Sequence, residues 1–339
     1  MQIESKRLVD VAKLAGVSVN TASRVLNKRG YISQTTKQKV EDAIKELNYK
    51  PNEYARNLLK KKSDIIALLM PSIEYHFYSK VISAIETNLQ KRGYKLLLCN
   101  SEYNPKEETK VLLDMVQRYR FDGLIIFNHE LKAKEYNNIA LPMVSIDRYV
   151  RSDVSFVSSD HSKGGRMVAQ FLAERGCKYL LQISGLQDKT TPWNERHSVF
   201  SQTMQEYGIE CKTYSLDVHE YSLDFEGQKE IIKKLLLENP KTDGFFSSDL
   251  WAVSALKTAH KLGICVPDEL QIVGYDGTIY TEITTPEITV VQQDAKAIGR
   301  SAADIISKMI SENNTNAYNE LHDVKLIERG STKKLSTNC

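Results

Sequence analysis

The fold of the N-terminal region is decided by residues 8–27, which read LVDVAKLAGVSVNTASRVLN. Leu8, Val11 and Ala15 recur at helical spacing, which predicts one apolar face of a short helix. Gly16 can adopt a positive φ and therefore permits a tight turn directly after that helix. The stretch is thus expected to begin with a helix followed by a turn.

Two further helices are predicted after this turn. Ser18 is suited to cap the N-terminus of the second helix, and Ala22 marks its inner face. Either Ser33 or Thr35 can cap the third helix, on which Val40 begins an apolar face. The first 50 residues are therefore expected to form a small unit made only of helices.

Two short helices separated by a glycine turn predict a helix-turn-helix, in which the second helix enters the DNA major groove. Val19 can contact a thymine methyl group, Asn20 can pair with adenine, and Arg24 can pair with guanine. Short hydroxyl side chains nearby can reach phosphates. An ordinary helical hairpin is the alternative. The predicted DNA contacts in this unit are Ser18, Val19, Asn20, Thr21, Ser23, Arg24, Asn27 and Tyr31.

The charge distribution points the same way. Residues 1–62 contain 14 Lys and Arg against 6 Asp and Glu, whereas the remaining residues contain 32 against 37. A basic head on a mildly acidic body is typical of a nucleic-acid-binding module joined to a domain that does not bind nucleic acid. A solvated basic surface would be the simpler explanation.

From Asp64 onward, short apolar runs alternate with amphipathic stretches. Strands are predicted at 65–70, 95–99, 123–127, 143–146, 154–158, 179–184, 244–247 and 270–275. Helices are predicted at 77–92, 106–119, 162–175, 223–238 and 250–262. This alternation implies parallel sheets with right-handed crossovers, and the number of strands favours two doubly wound subdomains. Ligands of such sheets bind beyond the carboxyl ends of the strands, so a cleft between the subdomains is expected.

Several classes of protein are disfavoured by what the chain lacks. Its five cysteines are widely spaced with no Cys-x-x-Cys pair, so we expect no disulfide framework, metal or cofactor. No secretory signal and no run of 18 apolar residues is present, so a cytoplasmic protein without a membrane span is expected. The chain has no nucleophile elbow, P-loop or His-Glu-x-x-His motif, which argues against an enzyme. An α/β sugar-processing enzyme fused to a DNA-binding head remains the alternative.

Two stretches, VDVAKLAGVSVNTASRVLN at 9–27 and TTKQKVEDAIKELNYKPNEYARNL at 35–58, resemble the LacI/GalR family of bacterial repressors. The resemblance extends over nearly the whole chain. It implies a DNA-binding domain, a hinge, and an effector-binding and dimerisation domain like the periplasmic sugar-binding proteins. The corresponding ranges are 1–50, 51–63 and 64–339. Subdomain 1 would comprise about 64–160 and 293–322, and subdomain 2 about 161–292 and 323–339.

In the family, the hinge becomes a short helix on the operator. Leu58 matches a leucine that wedges into the minor groove, where such side chains unstack a base step. Ala55 is small enough for two hinge helices to pack closely, and Asn52 is a further expected DNA contact. Without DNA, so short a helix would be marginal. A linker whose leucines pack on the body is the other interpretation.

The resemblance also implies an effector site between the subdomains. Aromatic side chains after the first strand would stack on a sugar ring, although the family's usual Asn-Pro before them is absent here. Asp147 and Arg148 resemble a pair of ribose-type sugar binders, with a salt bridge at a strand end as the alternative. At position 248 this chain has serine where the family often has asparagine. The implied effector-binding residues are Phe77, Tyr78, Asn100, Asp147, Arg148, Trp193, Arg196, Ser248, Asp276 and Gln293.

The expected partners are therefore double-stranded operator DNA, a sugar or sugar phosphate, and a second copy of the chain. The IDRY sequence at 146–149 resembles sucrose-operon members of the family, and a purine effector is the alternative. Residues 331–339 contain a single leucine, so no C-terminal heptad zipper is expected and a dimer is favoured over a tetramer.

Overall fold

A computed structural model of the chain describes most of its residues. They are 6–27, 29–49, 62–102, 104, 106, 109, 110, 112, 120–127, 136, 139–186, 191–217, 224–314 and 316–335. The chain divides into two compact units, Met1–Ser63 and Asp64–Cys339. Each unit has its own hydrophobic core.

The N-terminal unit contains the helices α1 (Leu8–Ala15), α2 (Val19–Leu26) and α3 (Gln34–Glu46). Gly16 ends α1 with a φ of 64°, as the turn requires. The inward faces of the helices share a small core of Val11, Ala12, Ala15, Ala22, Val25, Val40 and Ala43. The predicted helix-turn-helix is therefore confirmed.

The C-terminal unit alternates strands and helices along the chain. Its strands are β1 (Ile65–Met70), β2 (Lys95–Asn100), β3 (Gly123–Phe127), β4 (Met143–Ile146), β5 (Ser155–Ser159), β6 (Tyr179–Gly185), β7 (Glu210–Leu216), β8 (Gly244–Phe246), β9 (Gln271–Asp276), β10 (Thr289–Gln293), β11 (Asn319–His322) and β12 (Val324–Ile327). Its described helices are α4 (His76–Lys91), α5 (His161–Glu174), α6 (Pro192–Glu206), α7 (Phe225–Glu238), α8 (Asp249–Leu262) and α9 (Ala295–Glu312).

The strands form two six-stranded sheets. The first has the order β11-β5-β4-β3-β1-β2, and the second has the order β12-β10-β9-β8-β6-β7. All pairings are parallel except that of β12 with β10. We call the first sheet with α4 and α9 lobe 1, and the second sheet with α5 to α8 lobe 2. The chain passes between the lobes from β5 to α5, from β10 to α9, and from β11 to β12.

The two faces of each sheet are covered by apolar packing. In lobe 1, one face packs against α4 and α9, and the opposite face packs against a second cluster. In lobe 2, α7 and α8 cover one face while α5 and α6 cover the other. Strands buried on both sides read as continuous apolar runs, which is why β1 and β3 are apparent in the sequence. The predicted fold class is confirmed.

Two pairs of helices approach so closely that only glycine fits between them. A Cβ atom on Gly165 of α5 would overlap the carbonyl oxygen of Arg196 in α6 and lie 2.9 Å from its Cα. A Cβ atom on Gly299 of α9 would lie 2.6 Å from the carbonyl oxygen of Val81 in α4. Because the neighbours are backbone atoms, a larger side chain must move a whole helix.

The predicted strands all occur, with bounds within one residue of those observed. Four of the described strands and two of the described helices lie outside the predicted ranges, namely β7, β10, β11, β12, α6 and α9. The predicted helix at 106–119 lies largely outside the described residues. None of the described helices is both long and apolar enough to cross a lipid bilayer.

Candidate functional site

The outer face of α2 carries exposed side chains at the predicted base-reading positions. Val19, Asn20 and Arg24 are exposed, whereas Ala22 and Val25 face the core. In the loop after α2, Tyr31 is 93% exposed. The helix thus presents an apolar, an amide and a guanidinium group on one accessible surface.

Other predicted DNA contacts also serve the ends of α2. The Ser18 hydroxyl accepts a hydrogen bond from the Thr21 N–H at 3.1 Å, and the two hydroxyl oxygens lie 2.8 Å apart. The Asn27 amide donates to the Ser23 carbonyl oxygen at 2.9 Å and lies 3.4 Å from the Ser23 hydroxyl. These side chains cap the helix. Asn52, Ala55 and Leu58 lie outside the described residues.

In the C-terminal unit, Asp276 is a meeting point of the two lobes. It ends β9 with a φ of 120° and is 5% exposed. Its Oδ1 accepts hydrogen bonds from Arg196 Nη1 at 3.1 Å and from Gln293 Nε2 at 2.6 Å. Its Oδ2 accepts a short hydrogen bond from the Tyr75 hydroxyl, which belongs to lobe 1. Three polar groups from three segments of the chain therefore converge at one carboxylate.

Arg196 is held by aromatic rings as well as by its ion pair. Its side chain is 5% exposed, and its guanidinium carbon lies 4.3 Å from the Tyr275 ring centre and 5.7 Å from that of Trp193. Its Nε donates to His197 Nε2 at 3.3 Å. Burial holds the pKa of His197 well below its ordinary value, and the Arg196 charge lowers it further. A neutral imidazole can accept this hydrogen bond.

A second contact between the lobes involves Asp147. This residue follows β4, has a φ of 52° and is 4% exposed. Its Oδ1 accepts from the Ser158 hydroxyl at 2.6 Å and lies 3.1 Å from Nε2 of His161, the first residue of α5 in lobe 2. Burial by itself would raise the pKa of Asp147, but His161, the Ser158 hydrogen bond and Arg196 together hold it below its ordinary value.

A third buried carboxyl group, Asp249, lies beside Asp276 in lobe 2. Its Oδ2 accepts a hydrogen bond from the Thr278 N–H at 2.6 Å. Burial raises the pKa of Asp249 well above its ordinary value, and the nearby Asp276 charge raises it further. At pH values between the unfolded and the folded pKa, the folded protein therefore binds a proton at this carboxyl that the unfolded chain has released.

The free energy of unfolding of the wild-type protein should decrease as pH rises, and we expect the substitution Asp249→Asn to remove this decrease. Between the ordinary Asp pKa of 3.8 and the raised value, the folded state binds more protons than the unfolded state, so the free energy of unfolding decreases as pH rises. Urea unfolding of the full chain across this range tests the expectation, with the half-exposed Asp304 replaced in the control variant Asp304→Asn. An unchanged slope in Asp249→Asn would contradict it.

The remaining predicted effector residues occupy different environments. Trp193 and Arg148 are half-buried, and Ser248 is buried at the N-cap position of α8. Asn100 is exposed at the end of the edge strand β2, where its side-chain oxygen accepts from the Glu102 N–H at 3.3 Å. Asn100 thus supports a local turn.

Phe77 and Tyr78, the two aromatic residues predicted to contact the effector, occupy different environments. Phe77 is 4% exposed in the core of lobe 1, with its ring centre 6.4 Å from that of Phe127. Tyr78 is half-buried, and its ring centre lies 5.0 Å from Phe127 and 5.4 Å from Tyr75. The aromatic side chain that reaches Asp276 is Tyr75, because the start of α4 turns Phe77 inward.

Comparisons with known proteins complete the description. A family model for bacterial regulatory proteins of the lacI family matches residues 7–52, and one for a periplasmic binding protein-like domain matches residues 169–332. A sucrose operon repressor from Streptococcus mutans is 38% identical over 310 residues, which cover 91% of this chain and 94% of that protein. The chain belongs to the LacI family. A ribose operon repressor from Halalkalibacterium halodurans is also 38% identical, covering 96% of each chain.

Solved structures of transcriptional regulators share the fold. A lac repressor dimer bound to operator and an anti-inducer superposes with a TM-score of 0.85 at 22% identity, covering 98% of this chain and 100% of that chain. The transcriptional regulator CelR in complex with cellobiose gives a TM-score of 0.70 at 26% identity, covering 96% and 99%. As a LacI-family member, the chain is a DNA-binding transcriptional regulator.

Three residues at the centre of this LacI-family site were not predicted to take part, namely Tyr75, His161 and Asp249. All three follow the carboxyl end of a strand, which is the signal that could have identified them. Within the described residues, no group of three or more His, Cys, Asp or Glu side chains could hold a metal ion.

Proposed function

We propose that this LacI-family protein is a repressor that binds operator DNA as a homodimer and changes its DNA affinity when a sugar binds between lobe 1 and lobe 2. The observation that carries the proposal is the convergence of Tyr75, Arg196 and Gln293 on Asp276. Carboxylate, guanidinium and amide groups supply acceptors and donors for adjacent hydroxyls. In this proposal the protein binds its ligands and catalyses no reaction. It acts in the cytoplasm, where its DNA lies.

The names of the relatives support a sugar as the effector. Two relatives at 38% identity are sucrose and ribose operon repressors, and the CelR structure contains cellobiose. Aromatic rings beside hydrogen-bonding groups suit a sugar, whose ring has apolar faces and polar edges. The proposed contact set comprises Tyr75, Tyr78, Asp147, Arg148, Trp193, Arg196, Ser248, Asp276 and Gln293, and it omits Phe77 and Asn100.

The proposed domain boundaries remain 1–50 for the DNA-binding domain, 51–63 for the hinge and 64–339 for the effector domain. The division of the chain into compact units at Ser63 and Asp64 supports the last boundary. The passages of the chain from β5 to α5 and from β10 to α9 support the subdomain limits near 160 and 293.

The proposed coupling works through the placement of the two lobes. A sugar that prefers one placement shifts the population toward it, by no more than the difference between its affinities for the two states. Contacts between the lobes, such as Tyr75 with Asp276 and His161 with Asp147, are the interactions that such a shift must keep or replace.

We expect Tyr75→Phe to tighten sugar binding by at least about tenfold. The Tyr75 hydroxyl donates a hydrogen bond to Asp276 Oδ2, and a sugar hydroxyl that binds there must displace it. Because a hydrogen bond to a charged group is worth about 1.5–3 kcal/mol, removing the competing hydroxyl should favour the sugar. Calorimetric titration measures the change. Tyr94→Phe, on a half-buried tyrosine packed against the core of lobe 1, is the control and should have no effect. Weaker binding by Tyr75→Phe would mean that the hydroxyl contacts the sugar directly.

One experiment tests the function as a whole. The full-length protein is used to select its preferred duplex from a random library, and binding to that duplex is then titrated with and without a panel of mono- and disaccharides. We expect a near-palindromic site and a change in affinity with one sugar. No preference over random duplex, with or without sugars, would overturn the proposal.

A further inference from the structure

The guanidinium group of Arg24 rests on the loop that follows α2. Its Nε donates a long hydrogen bond of 3.4 Å to the carbonyl oxygen of Arg29. Gly30, with a φ of 71°, lies next to the same guanidinium group. A Cβ atom on Gly30 would overlap Arg24 Nη2 and would lie 3.3 Å from Cζ and 3.5 Å from Nε. The side of the guanidinium that carries Nε and Nη2 is therefore in close contact with a residue that has no side chain.

This loop is tied to the same turn of α2 that carries Arg24. The Arg29 N–H donates to the Arg24 carbonyl oxygen at 3.0 Å, so the loop closes back on the residue whose side chain it supports. The Asn27 amide donates to the Ser23 carbonyl oxygen at 2.9 Å and fixes the end of the helix in between. Any movement of α2 on DNA would carry the loop with it.

We propose that Gly30 and the Arg29 carbonyl group form a seat that sets the direction of the Arg24 guanidinium, which makes Gly30 a positioning residue for base recognition. The inference rests on the proposed function, in which Arg24 reads a base pair. A bidentate contact with guanine depends on the orientation of the planar guanidinium. A free arginine loses much rotamer freedom when it binds, and a seat that narrows its range in advance reduces that loss.

The position of Gly30 allows an effect of its substitution on Arg24 to be distinguished from an effect on folding. A methyl group at position 30 would meet the far end of a flexible side chain, so Arg24 can move away while the helices stay in place. The positive φ adds backbone strain in any residue other than glycine. Gly16 has a similar φ of 64° but nothing within 4 Å of the position of a Cβ. Gly16→Ala is therefore a matched control that adds the strain and leaves Arg24 untouched.

The experiment uses the full-length protein and the duplex that it selects from a random library. Wild type, Gly30→Ala, Gly16→Ala, Arg24→Ala and the double variant Gly30→Ala/Arg24→Ala are titrated against this duplex and against versions changed at one base pair. The readout is the ratio of dissociation constants between two duplexes. A partly unfolded population lowers both affinities by the same factor, so this ratio reports recognition alone.

We expect Arg24→Ala to reduce discrimination at one base pair by roughly 5- to 100-fold. Gly30→Ala should reduce it at the same base pair by at least about fivefold, whereas Gly16→Ala should leave all the ratios unchanged. In the Arg24→Ala background, Gly30→Ala should add no further loss of discrimination, because the residue that it positions is gone.

The outcomes distinguish this inference from the function on which it rests. If Arg24→Ala leaves every ratio unchanged, the assigned role of Arg24 is wrong. If Arg24→Ala reduces discrimination at one base pair while Gly30→Ala behaves like Gly16→Ala, base recognition by Arg24 is supported and the seat is refuted. Loss of discrimination at a different base pair in Gly30→Ala would also refute it.

Discussion

Replacing Arg196 with alanine should lower the free energy of unfolding of the C-terminal unit by about 3–5 kcal/mol and abolish the response to sugar. The substitution leaves Asp276 buried without its cation, since both side chains are only 5% exposed. It also removes the guanidinium that packs on Tyr275. Urea unfolding measures the first effect, and DNA binding titrated with sugar measures the second.

Arg175→Ala is the matched control for this prediction. The Arg175 side chain is also buried, packs on Phe171 and pairs with Glu328, but the Glu328 side chain is 41% exposed. Water can solvate the carboxylate left behind, so the loss of stability should be smaller and the sugar response should remain. A normal dose response in Arg196→Ala would refute the role assigned to Arg196.

Gly165→Ala should destabilise the C-terminal unit by about 1–3 kcal/mol and weaken sugar binding. The new methyl group would overlap the backbone of Arg196, so α5 and α6 must separate. That separation moves the residue whose side chain holds Asp276. Unfolding by urea and calorimetric titration with the effector sugar are the two measurements.

Gly299→Ala provides the comparison, because it forces apart α4 and α9 against the Val81 carbonyl oxygen in the same manner. We expect a similar loss of stability and a smaller loss of sugar affinity, because this change displaces α4, which carries Tyr78, but does not displace Arg196. Equal losses of sugar affinity in the two variants would show that the effect is general loosening and not displacement of Arg196.

The sequence predicts most of the buried strands, but three of the four edge strands (β7, β11 and β12) and the inner strand β10 were missed. Strands such as β3 are buried on both faces and read as unbroken apolar runs. β7 and β11 are edge strands with polar, largely accessible residues, so no apolar run or alternation marks them. Pairing with a neighbouring strand creates these elements, and a single sequence does not reveal that pairing.

The sequence also predicts only part of the candidate site. Asp276, Arg196 and Gln293 were predicted as effector contacts, and the structure brings both Arg196 and Gln293 within hydrogen-bonding distance of Asp276. The sequence did not indicate which of the adjacent aromatic residues reaches Asp276. Phe77 was selected over Tyr75, although the direction of each ring depends on how α4 packs against Phe127. Contact with a ligand stays a prediction for all of these residues.

The order of the last two strands has a consequence for shortened forms of the protein. β11 is an outer strand of one sheet and β12 is an outer strand of the other, although only one residue separates them in the chain. A premature stop codon ahead of Asn319 would remove an edge strand from each lobe and leave β5 and β10 with unpaired backbone groups. Exposed edges of this kind recruit other chains, so we expect such truncated products to aggregate in the cell.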